Sequence, residues 1–241
     1  MLLPITLLFV STFLTGILVL NFPQKKNLVP ILLSFSGAYL FTLTILDLLP
    51  TLYLKNPSFK EIGYFVLTGF FLQVVLERFS TGVEHGHVHF EDQEKYSDKI
   101  PFGIFISLSI HAFLEGVPLL KLDSNNEITI HYGMLAGIIT HKIPESFALI
   151  SILTFIIRRN RTIVLLLIIY SVITPAGMYL EKYLYLSQTQ TIPFFTYLMA
   201  LVCGALIHVS TTILFESGTN HKVMIKKLLA IAGGVMLGIL L

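Results

Sequence analysis

Cysteine and charge are both scarce in this 241-residue chain. Its single cysteine, Cys203, lies in an apolar run, which excludes a disulfide framework and a cysteine-built zinc cluster. Charged side chains make up 12% of the residues, against about a quarter in an ordinary soluble protein. The lysines and arginines sit in short clusters between apolar runs, which suits anchoring at lipid headgroups and leaves no phosphate track for a nucleic acid. The first run has neither a basic start nor a small-residue cleavage site, so it is expected to remain as a membrane span. There is also no His-Glu-x-x-His helix and no nucleophile paired with a base, so the chain is not expected to be an enzyme.

What the chain has is apolar length: 54% of its residues are hydrophobic and its mean hydropathy is +0.80. At roughly 20 residues per crossing, the runs are Leu2–Leu20, Leu28–Leu49, Ile62–Phe79, Pro101–Leu120, His131–Ile157, Thr162–Leu184, Pro193–Phe215 and Met224–Leu241. These predict an all-α, polytopic membrane protein of eight transmembrane helices, one domain over residues 1–241 with a single long connection at about 80–100. Eleven of the sixteen lysines and arginines fall in the first, third, fifth and seventh connections. By the positive-inside rule those connections face the cytoplasm and both termini face away from it. The cell membrane is the expected location.

Two segments carry the chemistry. His111-Ala-Phe-Leu-Glu115 and His141-Lys-Ile-Pro-Glu145 each set a histidine four residues before a glutamate, and on a helix such positions share a face. Ionisable groups inside a membrane cost several kcal/mol unless paired, wetted or metal-bound. Two imidazoles and two carboxylates suit zinc, and their two negative charges would make the loaded site close to neutral. The plainer account is protonated carboxylates bonded to the imidazoles, gluing two helices together. Pro144 inside the second pair, and Gly116 with Pro118 after the first, predict helices interrupted beside their ligands, as carriers use to open alternately to either side. Gly133, Ala136 and Gly137 would permit close packing ahead of the second pair.

Other polar groups are secondary candidates for transient metal contact. Asp47 lies near the end of the second span, His208 within the seventh, and His131 at the external start of the fifth. The alternative for His208 is a core histidine bonded to a neighbouring helix, and for Glu77 and Glu216 it is reach to the interface. In the long connection, Glu84-His-Gly-His-Val-His-Phe-Glu-Asp92 offers His85, His87 and His89 as a loose cytoplasmic chelator, or merely a solvated loop.

With these motifs the chain resembles the ZIP family of zinc- and iron-regulated transporters. His111-Ala-Phe-Leu-Glu115-Gly116 is similar to the family's fourth-span signature, His141-Lys142-Ile-Pro-Glu145 to its fifth, Asp47-Leu-Leu-Pro50 to its second and Thr174-Pro-Ala-Gly177 to its sixth. The resemblance implies eight spans in a 3+2+3 arrangement with inverted repeats and a His-rich cytoplasmic loop. It also implies a metal site between the fourth and fifth spans, and it allows for a homodimer. Members that hold two metals use an asparagine and an acidic residue where this chain has Ala112 and Lys142. One site is therefore expected, formed by His111, Glu115, His141 and Glu145, with the Lys142 ammonium standing in for a second ion. The expected function is import of zinc, or of iron, manganese or cadmium, as transported substrate and with no organic cofactor. An intramembrane metalloenzyme and a metal-sensing membrane protein that never releases its ion are the alternatives.

Overall fold

Runs of leucine, isoleucine and phenylalanine too long for a soluble helix form a bundle of long helices. The computed structural model describes residues 2–21, 29–55, 59–80, 100–122, 127–186, 192–215 and 221–240. The helices are α1 (Leu2–Asn21), α2 (Val29–Leu43), α3 (Leu49–Lys55), α4 (Phe59–Ser80), α5 (Phe102–Gly116), α6 (Tyr132–Ile156), α7 (Asn160–Leu186), α8 (Ile192–Phe215) and α9 (His221–Leu240). One widened, π-helical turn, Thr44–Leu48, joins α2 to α3, so the two make one crossing. That turn carries Asp47, consistent with the tendency of such turns to mark functional positions.

Among the described residues, seven helices are long and apolar enough to cross a membrane: α1, the α2–α3 rod, and α4 to α8. The eighth expected span corresponds to α9, which packs along α2 and opens with His221, Lys222, Lys226 and Lys227. One feature departs from the all-α expectation. After α5, Val117–Leu119 form a 3-10 turn containing Pro118, and Leu120–Leu122 (β1) then pairs antiparallel with Ile128–Ile130 (β2). The two strands pair with each other, and the His131 N–H donates to the Leu119 carbonyl at 2.9 Å, closing the hairpin against the start of α6.

Among the described residues two large apolar cores fill the bundle, with a smaller cluster of Val29, Leu33, Val209 and Ile213 between α2 and α8. One gathers α2, α8, the start of α6 and the end of α5, and includes Tyr39, Leu114, Met134, Ile138 and Leu206. The other gathers α7, the start of α5 and the later part of α6, and includes Leu108, Ala112, Ala148, Leu149 and Tyr170. Along both α5 and α6, the His/Glu residues lie where one core gives way to the other.

Close backbone approach fixes these helices. A Cβ on Gly116 of α5 would collide with the Thr174 carbonyl of α7, and one on Gly177 of α7 with the Phe113 carbonyl of α5. Only glycine permits that contact. Gly137 of α6 lies against the Tyr39 ring, where a Cβ would come within 2.7 Å, and the Tyr39 hydroxyl donates to the Gly133 carbonyl at 2.9 Å. The expected interruption at Pro144 is not observed: α6 runs continuously through it. Buried surroundings let a membrane helix absorb a proline without breaking.

Candidate metal site

Because α5 and α6 are helical through both motifs, each histidine lies one turn from its glutamate. All four side chains are buried, His111, Glu115, His141 and Glu145 exposing no more than 2% of their surface. His111 Nε2 lies 3.3 Å from Glu115 Oε1, and His141 Nε2 lies 3.5 Å from the same oxygen. Glu145 Oε1 is 3.9 Å from His111 Nε2. The two rings are 6.1 Å apart and nearly perpendicular. In a tetrahedral site with bonds of about 2.0–2.2 Å, neighbouring ligand atoms are roughly 3.3–3.6 Å apart. His111 and His141 each hold that spacing to Glu115 Oε1, and the three ligand atoms lie within 4.8 Å of one another, while Glu145 stands outside this group of three. Both Nε2 atoms are buried and make no hydrogen bond. That is an expensive state for a ring nitrogen unless something binds it.

Neighbours from other helices hold these side chains in place. Ser36 of α2 lies 3.2 Å from His141 Nδ1 and donates its own proton to the Leu33 carbonyl at 3.2 Å. Its oxygen is then left to accept from His141 Nδ1–H, which puts the bare lone pair on Nε2, facing Glu115. This tautomer is the one a metal-binding histidine needs. The Tyr170 hydroxyl of α7 donates to Glu145 Oε1 at 2.5 Å.

Lys142 is wholly buried, and its ammonium pairs with Glu115 Oε2 and, at 2.5 Å, with Glu145 Oε2. It does not reach for water. Each carboxylate thus turns one oxygen to the lysine and the other to an imidazole or to Tyr170. Ala112 packs, fully buried, in the second core.

The secondary candidates are dispersed. His131 caps α6, its Nδ1 accepting the Met134 N–H at 3.3 Å, while Nε2 lies 2.8 Å from Asp47 Oδ2. With Nδ1 an acceptor, the neutral ring carries its proton on Nε2, toward the carboxylate. Asp47 and His131 are thus close polar neighbours. His208 meets Glu77 at 2.6 Å across α4 and α8, so this histidine is bonded to a neighbouring helix and Glu77 to a partner within the bundle. His85, His87, His89 and Glu216 lie outside the described residues. Three residues went unnoticed in the sequence. Ser36 and Tyr170 gave no signal, being ordinary residues of apolar spans. Glu181 did, as an acid inside the sixth run; it is wholly buried and accepts the Leu120 N–H at 2.7 Å, tying α7 to the hairpin.

A family model described as ZIP zinc transporter matches residues 91–241, which include both His/Glu motifs. The chain belongs to the ZIP zinc transporter family. No curated protein matches it. Membership makes this ZIP protein an integral membrane protein of a family that transports divalent metal, and its buried His/Glu cluster is chemically suited to such an ion.

Proposed function

We propose that this ZIP protein imports a divalent cation, zinc foremost, into the cytoplasm by alternating access through one site made of His111, Glu115, His141 and Glu145. The observation that carries the reading is the convergence of two unbonded imidazole nitrogens on one carboxylate oxygen, at the edge length of a tetrahedral metal site. The site sits between two apolar cores, so a cation reaches it only when the packing on one side or the other parts. The Gly116–Gly177 contact ties α5 to α7 as a unit able to shift against the α2, α8 and α9 side.

In this reading α9 supplies the eighth crossing, the helices form a 3+2+3 arrangement with inverted repeats, and both termini lie outside the cytoplasm of the cell. Lys142 takes the place of a second ion, and the cation displaces its ammonium from the two carboxylates on binding. Asp47 and His131 form a polar pair on the external side. His85, His87 and His89 receive metal on the cytoplasmic side.

Purified protein in liposomes loaded with a zinc-sensitive dye should show saturable uptake, abolished in Glu145→Ala with the fold intact by circular dichroism. Wild-type liposomes that take up no zinc, iron, manganese or cadmium would sink the transport reading. A cation bound but never moved would favour a sensor, and product formed without metal movement would favour an enzyme.

A further inference from the structure

The seam between α4 and α8 carries a second polar cluster, well separated in sequence from the His/Glu motifs. The two helices run side by side at backbone contact. A Cβ on Gly69 would strike the Leu201 carbonyl, and one on Gly204 the Val66 carbonyl. Gly69, Gln73 and Glu77 follow one another at steps of four, so they share one face of α4. Gly69 at one end of that face meets α8, and Glu77 at the other end meets His208 of α8 at 2.6 Å. Gln73, between them, faces the same helix. His208 also lies edge-on to Phe70, with ring centroids 4.9 Å apart, and Gln73 lies between Phe70 and Glu77 along α4, one turn from each.

Gln73 is the anomaly. Its side chain is wholly buried, and neither its amide nitrogen nor its carbonyl oxygen has a hydrogen-bond partner. A membrane helix that needs only packing would carry leucine there. An imidazole nitrogen, a carboxylate oxygen and an amide oxygen on one seam are a ligand set for a divalent transition metal.

We propose that Gln73, Glu77 and His208 form a second binding site for a divalent transition-metal ion. The site holds the ion by opening the Glu77–His208 pair and turning the Gln73 carbonyl onto it. Its position suggests a role as a station between the primary site and the cytoplasm. Ser107 of α5, one turn from His111, donates to the Leu76 carbonyl beside Glu77, linking the two sites across adjacent helices. That role rests on the transport reading; the binding does not.

The test is cobalt(II) titration of the full chain in detergent, with His85, His87 and His89 changed to alanine so that the loop binds nothing. Bound metal is counted by elemental analysis and its ligand field read from the visible absorption bands. The expected result is two ions in this background and one in Glu115→Gln/Glu145→Gln. That remaining ion should be lost with His208→Asn and held at least tenfold more weakly with Gln73→Leu. If the background binds a single ion that vanishes in Glu115→Gln/Glu145→Gln, the seam site is overturned and the primary site stands. If the single ion survives there and vanishes in His208→Asn, the seam stands and the primary site falls. No bound ion overturns both. Should His208→Asn fail to fold, Gln73→Leu decides alone. In a seam that only packs, that variant raises the thermal midpoint and leaves cobalt binding unchanged.

Discussion

Lys142 is the residue on which the site's electrostatics turn. A buried carboxylate deprived of its cation is destabilising by about 3–5 kcal/mol, and Lys142 serves two of them, Glu115 and Glu145. Lys142→Met should therefore lower the thermal midpoint of metal-free protein markedly, and added zinc should restore much of the loss by binding only the folded form. Differential scanning fluorimetry with and without zinc checks both halves. Ser36 acts more quietly, through the tautomer of His141. Ser36→Ala should weaken zinc binding by roughly 10-fold, as loss of a partner behind a metal-binding histidine usually does, with little change in fold. Calorimetric titration measures it. The four residues of the two motifs were legible in the chain because a helix brings positions i and i+4 together without help from elsewhere. Ser36 and Tyr170 were not, since their partners lie 105 and 25 residues away in sequence and only the packing of whole helices makes them neighbours.

Among the elements, α5 and α7 are joined where two backbones touch. Gly177→Ala puts a methyl group onto the Phe113 carbonyl, and overpacking of this kind costs about 1–3 kcal/mol or more. The variant should show a lowered thermal midpoint and reduced zinc uptake, because α5 carries two of the proposed ligands. Gly63→Ala is the control: a Cβ there meets only the Tyr53 hydroxyl at 3.8 Å, and the midpoint should hold or rise. The extent of the helices was readable from apolar runs because a bilayer demands a minimum length. The hairpin was not, as three residues on each strand are too few for alternation to register. The widened turn at Asp47 and the unbroken path of α6 through Pro144 were equally hidden, since both depend on what surrounds the backbone.

For the whole molecule, orientation is the boldest expectation, and single-cysteine labelling tests it. In a Cys203→Ser background, an impermeant maleimide should label Glu127→Cys on intact cells but Arg159→Cys only after permeabilisation. The opposite pattern would invert the direction of every crossing. Class and family were legible from composition and four motifs.

Lys142 also changes the charge sum. In the proposed cycle the displaced ammonium still travels with α6, so counting it with Glu115 and Glu145 gives one negative charge unloaded and one positive charge with a divalent ion, rather than the neutrality that four ligands alone suggest. If the proposed import cycle holds, an inside-negative membrane voltage would pull the loaded carrier inward and push the unloaded one back out, each stroke worth up to about 2.3 kcal/mol per 100 mV. The lysine would divide the electrical work between both halves of the cycle. A potassium gradient with valinomycin should accelerate zinc uptake into liposomes when the lumen is made negative and slow it when the lumen is made positive.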